Sequence, residues 1–157
     1  VPLPEVEEVL TRGFGEIFQT RIERGEPGLR TVSVVVHREG RVLALRRTPE
    51  RGGFWQPVTG KIEAGESAAD AARRELREET GLDAAPRSLD YVHSFAARET
   101  RPPLIIEETA FAIEAPAGFE AQRDPAEHDA AEWVTPAEAS ARFPFEGLRT
   151  AVRLSFG

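Results

Sequence analysis

The chain has 157 residues, 40% hydrophobic and 30% charged, with a formal net charge of -7. That length suits a single core, the composition is neither disordered nor membranous, and no apolar run approaches the length of a bilayer span. The lack of cysteine excludes disulfides, thiolate nucleophiles and zinc–thiolate sites, and the negative balance weighs against non-specific binding to long nucleic acid.

Val1 to Leu10 is acidic and contains proline, unlike a signal peptide as it stands; with no cysteine in the chain, a cytoplasmic location is the default expectation. Pro4 to Leu10 begins an amphipathic helix, with Val6, Leu10, Phe14 and Phe18 at helical spacing. Gly13 and Gly15 weaken its continuation toward Ile22. After a turn at Glu26-Pro27-Gly28, a β-branched strand runs from Thr31 to His37, turns at Glu39-Gly40 and pairs with Arg41 to Arg47. Thr48 to Gly53 reads as a loop and Phe54 to Thr59 as an extended segment.

A helix follows, with Ser67 as N-cap, Asp70 completing a capping box and Gly81 stopping it in a left-handed turn. Leu89 to Ala97 and Leu104 to Ile113 read as strands separated by Pro102-Pro103. Ala115 to Pro125 is a loop region and Ala130 to Val134 a short strand. Thr135 caps a short helix with Pro136 at its first position, and Arg149 to Leu154 lies in a final helix. Such an order implies an α/β fold with a mixed sheet covered on both sides. Residues 31–157 read as the domain and 1–30 as an extension packed on it, with a dimer contact as the extension's alternative role.

The central helix carries the chemistry. Ala69, Ala72 and Leu76 fall on one stripe, expected to face the core, while Glu75, Glu78 and Glu79 cluster on a neighbouring one. Arg74, four residues before Glu78, offsets part of the like-charge repulsion, and Arg73 and Arg77 point to solvent. A hard cation, Mg²⁺ or Mn²⁺, would resolve the remainder because such ions prefer carboxylate oxygens. The preceding loop is bracketed by Gly60 and Gly65 and closed by Glu66. It holds Lys61, the chain's single lysine, where a compact cation would meet a phosphate.

Gly60, Glu66, Arg74, Glu75, Leu76, Glu78, Glu79, Gly81 and Leu82 stand at the spacing of the Nudix box, and the chain resembles that hydrolase family. Arg41 to Arg47 and Phe54 to Thr59 are similar to its strand and approach loop, and the likeness extends loosely from Thr31 to Phe156. The resemblance implies the Nudix α/β/α sandwich and hydrolysis of a phosphoanhydride in a small nucleotide-like substrate. It implies Glu75 and Glu79 as metal ligands, Glu78 as a third, and the Thr59 or Gly60 carbonyl completing the shell. Glu66 would support the site or help bind the ion, and Arg74 would orient a glutamate. The base that takes the water's proton is Glu75 or a carboxylate outside the helix. For the latter, Glu127 is the candidate and Glu107 and Glu108 are rivals, only one of which strand alternation turns to the cleft. Lys61, Thr59 and Arg47 are candidates for substrate binding. Phe54 and Trp55 stack a base or pack in the core. His37, His93 and His128 lack convergent spacing and read as structural or exposed.

Phe54 to Gly60, Glu127-His128 and Glu132-Trp133-Val134 are most similar to the dihydroneopterin triphosphate pyrophosphatase branch, although Leu148 stands where that branch offers an asparagine. Phe95, Ala96 and Ala97 replace the proline of ADP-ribose pyrophosphatases, and Arg98 and Glu99 the tyrosine of dinucleoside polyphosphate hydrolases. A nucleoside triphosphate pyrophosphatase, including one that removes oxidised nucleotides, is the competing reading, and a non-catalytic sensor domain is a third. The isomerases that share this fold use a cysteine, and this chain has none. The chain is expected to be a monomer or homodimer with no membrane partner.

Overall fold

The structure, a computed structural model, describes residues 9–10, 16–18, 28–97 and 104–157, with side-chain surroundings for 28–95 and 105–157. The strands are β1 (Val9–Leu10), β2 (Glu16–Phe18), β3 (Leu29–Arg38), β4 (Arg41–Arg47), β5 (Trp55–Gln56), β6 (Val58–Lys61), β7 (Arg87–Ala97), β8 (Leu104–Glu114) and β9 (His128–Val134). The helices are α1 (Ala68–Thr80), α2 (Pro136–Arg142) and α3 (Glu146–Phe156). All the strands join one mixed sheet in the order β1-β2-β7-β8-β3-β4-β5, with β6 on β3 and β9 on β4.

β3 runs parallel to β8 along one edge and divides its other edge. Its end, at His37 and Arg38, pairs with β4 through a turn in which Glu39 and Gly40 both take positive φ. Its start, Thr31 to Val34, pairs with β6. β4 instead turns to β5 and β9, so the sheet forks between the β4 and β6 branches. The functional residues gather at that fork.

Both faces of β3 are covered, which explains its unbroken β-branched run. Val32, Val34 and Val36 pack with Ala71, Ala72 and Leu76 of α1. Val35 packs on the other face with Leu148, Ala151 and Val152 of α3 and Ala139 of α2. The structure thus has the α/β/α layering of the expected fold. No helix among the described residues is long and apolar enough to cross a membrane.

Local signals position these elements. The Ser67 hydroxyl accepts from Asp70 N at 3.0 Å, and Gly81 closes α1 at φ 83°. Thr135 and Glu138 form a reciprocal capping box on α2, an arrangement worth about 1 kcal/mol per cap. Several expectations need correction. Ala69 is exposed, and Ala71, Ala72, Leu76, Glu79 and Thr80 form the buried face of α1. Periodicity gives the spacing of a helix face, while its absolute rotation is set by what it packs on. Arg149 to Leu154 lies within α3, while β9 starts at His128 rather than Ala130. The N-terminal helix falls largely outside the described residues. Of its span, Val9–Leu10 and Glu16–Phe18 are strands, paired with each other and, through Ile17 and Phe18, with Ala97 and Ala96 of β7. Gly13 and Gly15 disfavour a helix, and the outer edge of β7 offers backbone partners instead.

Candidate functional site

Helix α1 approaches β6 closely enough that a Cβ at Gly60 would lie 2.0 Å from Cδ of Glu75. Glycine at 60 is therefore a packing requirement of the Glu75 side chain. Beside it, Arg74 organises the loop. Its Nε and Nη2 donate to the two oxygens of Glu66 at 2.8 and 2.9 Å, and Nη2 also donates to the Lys61 carbonyl at 2.8 Å. Its Nη1 donates to Glu75 at 2.7 Å and to Glu78 at 3.2 Å. Glu66 in turn accepts from Glu63 N at 3.0 Å. The Arg74 guanidinium holds the Glu66 carboxyl down at about 2, and these carboxylates raise the pKa of Arg74. One planar fork thus fixes the loop and two helix carboxylates together.

Glu79 sits one turn beyond Glu75 and is only 2% exposed. Burial pushes its carboxyl well above the ordinary range, reinforced by a hydrogen bond with Glu75 and by the charges of Glu75 and Glu127, while the Thr59 amide opposes the shift. Among the described residues its Oε1 has no hydrogen-bond partner. Across from it, β9 begins with His128, 2% exposed, whose Nε2 lies 3.8 Å from that same oxygen and 3.2 Å from Gln56 Nε2. Burial and then the charges of Arg47 and Arg51 hold His128 down at about 4. Glu79, Glu127 and His128 each offer a ligand atom, all within 4.8 Å of one another. The amide of Glu127 donates to Asp124 O, and its carbonyl accepts from Thr48 N at 3.2 Å, which anchors this loop to the β4 branch. Arg47, buried under the Phe54 ring, is lowered to about 10 by burial and the nearby Arg51.

These groups line a cavity of about 700 Å³. Of the expected residues, Arg47, Thr59, Gly60, Lys61, Glu75, Glu78, Glu79 and Glu127 border it. Glu66 does not. It stands behind Arg74, both oxygens engaged. Alternation selects Glu108, which borders the cavity, while Glu107 lies 3.7 Å from Arg30. Phe54 and Trp55 are outside the cavity: Phe54 packs edge-on against Phe145, and Trp55 lies between Arg46 and Arg142. The aromatic wall is formed by Phe95 and Phe145, which the sequence did not single out. His128, expected to be structural or exposed, is part of the site. Its signal was present in its adjacency to Glu127 but required the true start of β9. His93 also has a specific partner, Glu108, at 3.0 Å.

The fork, the box helix and the acidic cavity define a class, and a NUDIX domain profile matches residues 27–152. The chain belongs to the NUDIX family and is a Nudix hydrolase. Such hydrolases act on small nucleotide derivatives and generally use divalent metals. An octanoyltransferase of Myxococcus xanthus is 48% identical over 98% of this chain, but the chain spans only 44% of that protein. Phosphatase NudJ of Escherichia coli K12 is 35% identical over 108 residues, 69% of each chain. Among solved structures, the E. coli dihydroneopterin triphosphate pyrophosphohydrolase has a TM-score of 0.69 and 28% identity, covering 79% of this chain and 92% of that one. The MutT protein of Methanosarcina mazei Go1 has a TM-score of 0.68 at 22% identity, covering 83% and 94%, a likeness of fold.

Proposed function

We propose that this chain is a Mg²⁺-dependent pyrophosphohydrolase, with Mn²⁺ as a substitute, acting on nucleoside triphosphates or on dihydroneopterin triphosphate. The observation that carries this reading is the buried Glu79 oxygen, which lacks a partner among the described residues and stands among the carboxylates of a cavity also bordered by Arg47 and Lys61. A buried anionic oxygen without a donor is costly, and the all-oxygen set of Glu75, Glu78 and Glu79 suits a hard cation. These residues, with the Gly60 carbonyl, would hold the ion. The ion supplies positive charge for the phosphoryl oxygens and makes water more acidic.

The chain's own groups do the rest. Arg74 keeps Glu75 and Glu78 in position, and Glu66 acts through Arg74. Arg47 and Lys61 bind phosphate oxygens. Glu127, which comes from the opposite wall and is outside the Arg74 network, accepts the proton as water oxygen bonds to phosphorus and the anhydride P–O bond breaks. Pyrophosphate leaves and a monophosphate remains. Residues 31–157 carry this activity, with 1–30 as an extension, in a cytoplasmic setting. The similarity to the E. coli pyrophosphohydrolase supports including dihydroneopterin triphosphate.

A substrate screen tests this. The common nucleoside triphosphates, dihydroneopterin triphosphate, ADP-ribose and dinucleoside polyphosphates are incubated with the chain and Mg²⁺, and the products are separated. Pyrophosphate and a monophosphate are expected from a triphosphate, and EDTA is expected to stop their release. Turnover confined to ADP-ribose or dinucleotides, or undiminished in EDTA, contradicts the proposal.

A further inference from the structure

On the side of the cavity formed by β3, β8 and β7, three neighbouring strands carry a polar row. Glu108 on β8 stands in register with Thr31 on β3 and with His93 on β7. Thr31 Oγ1 donates to Glu108 Oε2 at 2.8 Å, and His93 Nε2 lies 3.0 Å from Glu108 Oε1. A carboxylate only accepts, so His93 carries its proton on Nε2. The row is deliberately tight: a Cβ at Gly147 of α3 would lie 2.0 Å from His93 Nδ1. Glu108 is 5% exposed and borders the cavity beside Leu29, Phe95, Phe145 and Leu148. Phe95 and Phe145 are nearly coplanar in orientation, 9° apart with centroids at 5.2 Å.

A buried carboxylate in an apolar, aromatic recess does not suit phosphate, because both are anionic. It suits a flat heterocycle that presents N–H groups. Among the described residues each Glu108 oxygen has one protein donor, and it retains acceptor capacity, since a carboxylate offers about four lone-pair sites. Two adjacent N–H donors would satisfy both oxygens together. Adenine and cytosine place a ring acceptor beside their amino group, and uracil flanks its single N–H with carbonyls. A ring N–H next to an exocyclic amino group, as in guanine or a 2-amino-4-oxopteridine, supplies the matching pair.

We propose that Glu108 is a specificity-determining residue that selects substrates whose ring bears this N–H and amino edge, with Thr31 and His93 as its positioning residues. The inference rests on the reading of the cavity as a nucleotide-type site and names its substrate class.

The test uses phosphate-free probes, so that it is independent of hydrolysis. Calorimetry measures binding of guanosine, neopterin, inosine and adenosine to the wild-type chain, Glu108→Gln and Thr31→Val, without metal. Inosine differs from guanosine only in lacking the amino group. Guanosine or neopterin is expected to bind at least about ten-fold more tightly than inosine, because a site built around hydrogen bonds rejects the analogue lacking them. Which of the two binds distinguishes a purine from a pteridine substrate. Glu108→Gln should reduce the preference to less than about three-fold, since its amide keeps one acceptor and adds a donor. Thr31→Val retains the carboxylate but removes the hydroxyl that positions it, and should lower the preference to a value between those of the wild type and Glu108→Gln, an unchanged preference contradicting the positioning role. It carries the test alongside the wild type if Glu108→Gln does not fold. Equal binding of guanosine and inosine, an unchanged preference in Glu108→Gln, or no binding of either amino-bearing ring overturns the proposal. A chain that hydrolyses nothing yet shows the Glu108-dependent preference refutes the catalytic reading alone.

Discussion

Glu79→Gln is expected to reduce turnover at least about a hundred-fold, the scale of losing a metal ligand, while the protein remains folded. Glutamine keeps the size of the side chain and an acceptor oxygen, so the packing of α1 on β3 is retained. It removes the negative charge from a side chain that is 2% exposed and faces Glu75 and Glu127. Metal-free stability should therefore be maintained or rise, because a buried charge beside like charges opposes folding. Loss of activity with an undiminished melting midpoint in EDTA is the expected pair of results. Near-normal turnover would refute the role given to Glu79.

Arg74→Lys is the second large effect. The side chain is 18% exposed and makes contacts in several directions, to Glu66, Glu75, Glu78 and the Lys61 carbonyl. An ammonium keeps the charge but lacks the planar fork that holds these partners at once. Glu75 and Glu78 would lose their common reference point, and the loop from Lys61 to Glu66 its clamp. Turnover should fall about ten- to a hundred-fold, as for other groups that orient metal ligands, and the melting midpoint should fall as well. This pattern differs from that of Glu79→Gln, where activity falls without a stability loss. Steady-state kinetics and thermal melts of the two variants separate a group that holds the ion from one that positions its ligands.

The contrast also shows what was legible before the structure. Gly60, Glu66 and the helix carboxylates lie within a single loop and helix, so spacing alone brings them together. The Ser67 and Thr135 caps and the Glu39-Gly40 turn are equally local, and so are their signals. The rotation of α1 was misplaced at Ala69 because a periodic stripe has no intrinsic origin; contact with β3 and β6 supplies it. Alternation reduced Glu107 and Glu108 to one, yet only the pairing of β8 with β3 and β7 shows which. His93 and Thr31 are far apart in sequence from each other, and the parallel and antiparallel registers that join them through Glu108 leave no local trace. Arg149 to Leu154 fall within α3, whose first turn carries no local signal, since Phe145 caps it without a side-chain hydrogen bond. Nothing local therefore marks Phe145 and Leu148 as walls of the cavity. The early strands carry a helix-like pattern in sequence, because short apolar repeats around Gly13 and Gly15 fit either structure until β7 provides an edge.

Titration of the metal-free chain with Mn²⁺, followed by the electron paramagnetic signal of the free ion, tests most directly whether these carboxylates hold a divalent cation. Wild-type protein should take up the ion, and Glu79→Gln should bind it at least about ten-fold more weakly. Equal uptake by both proteins, or none by a wild-type chain that still cleaves a triphosphate, would contradict the account.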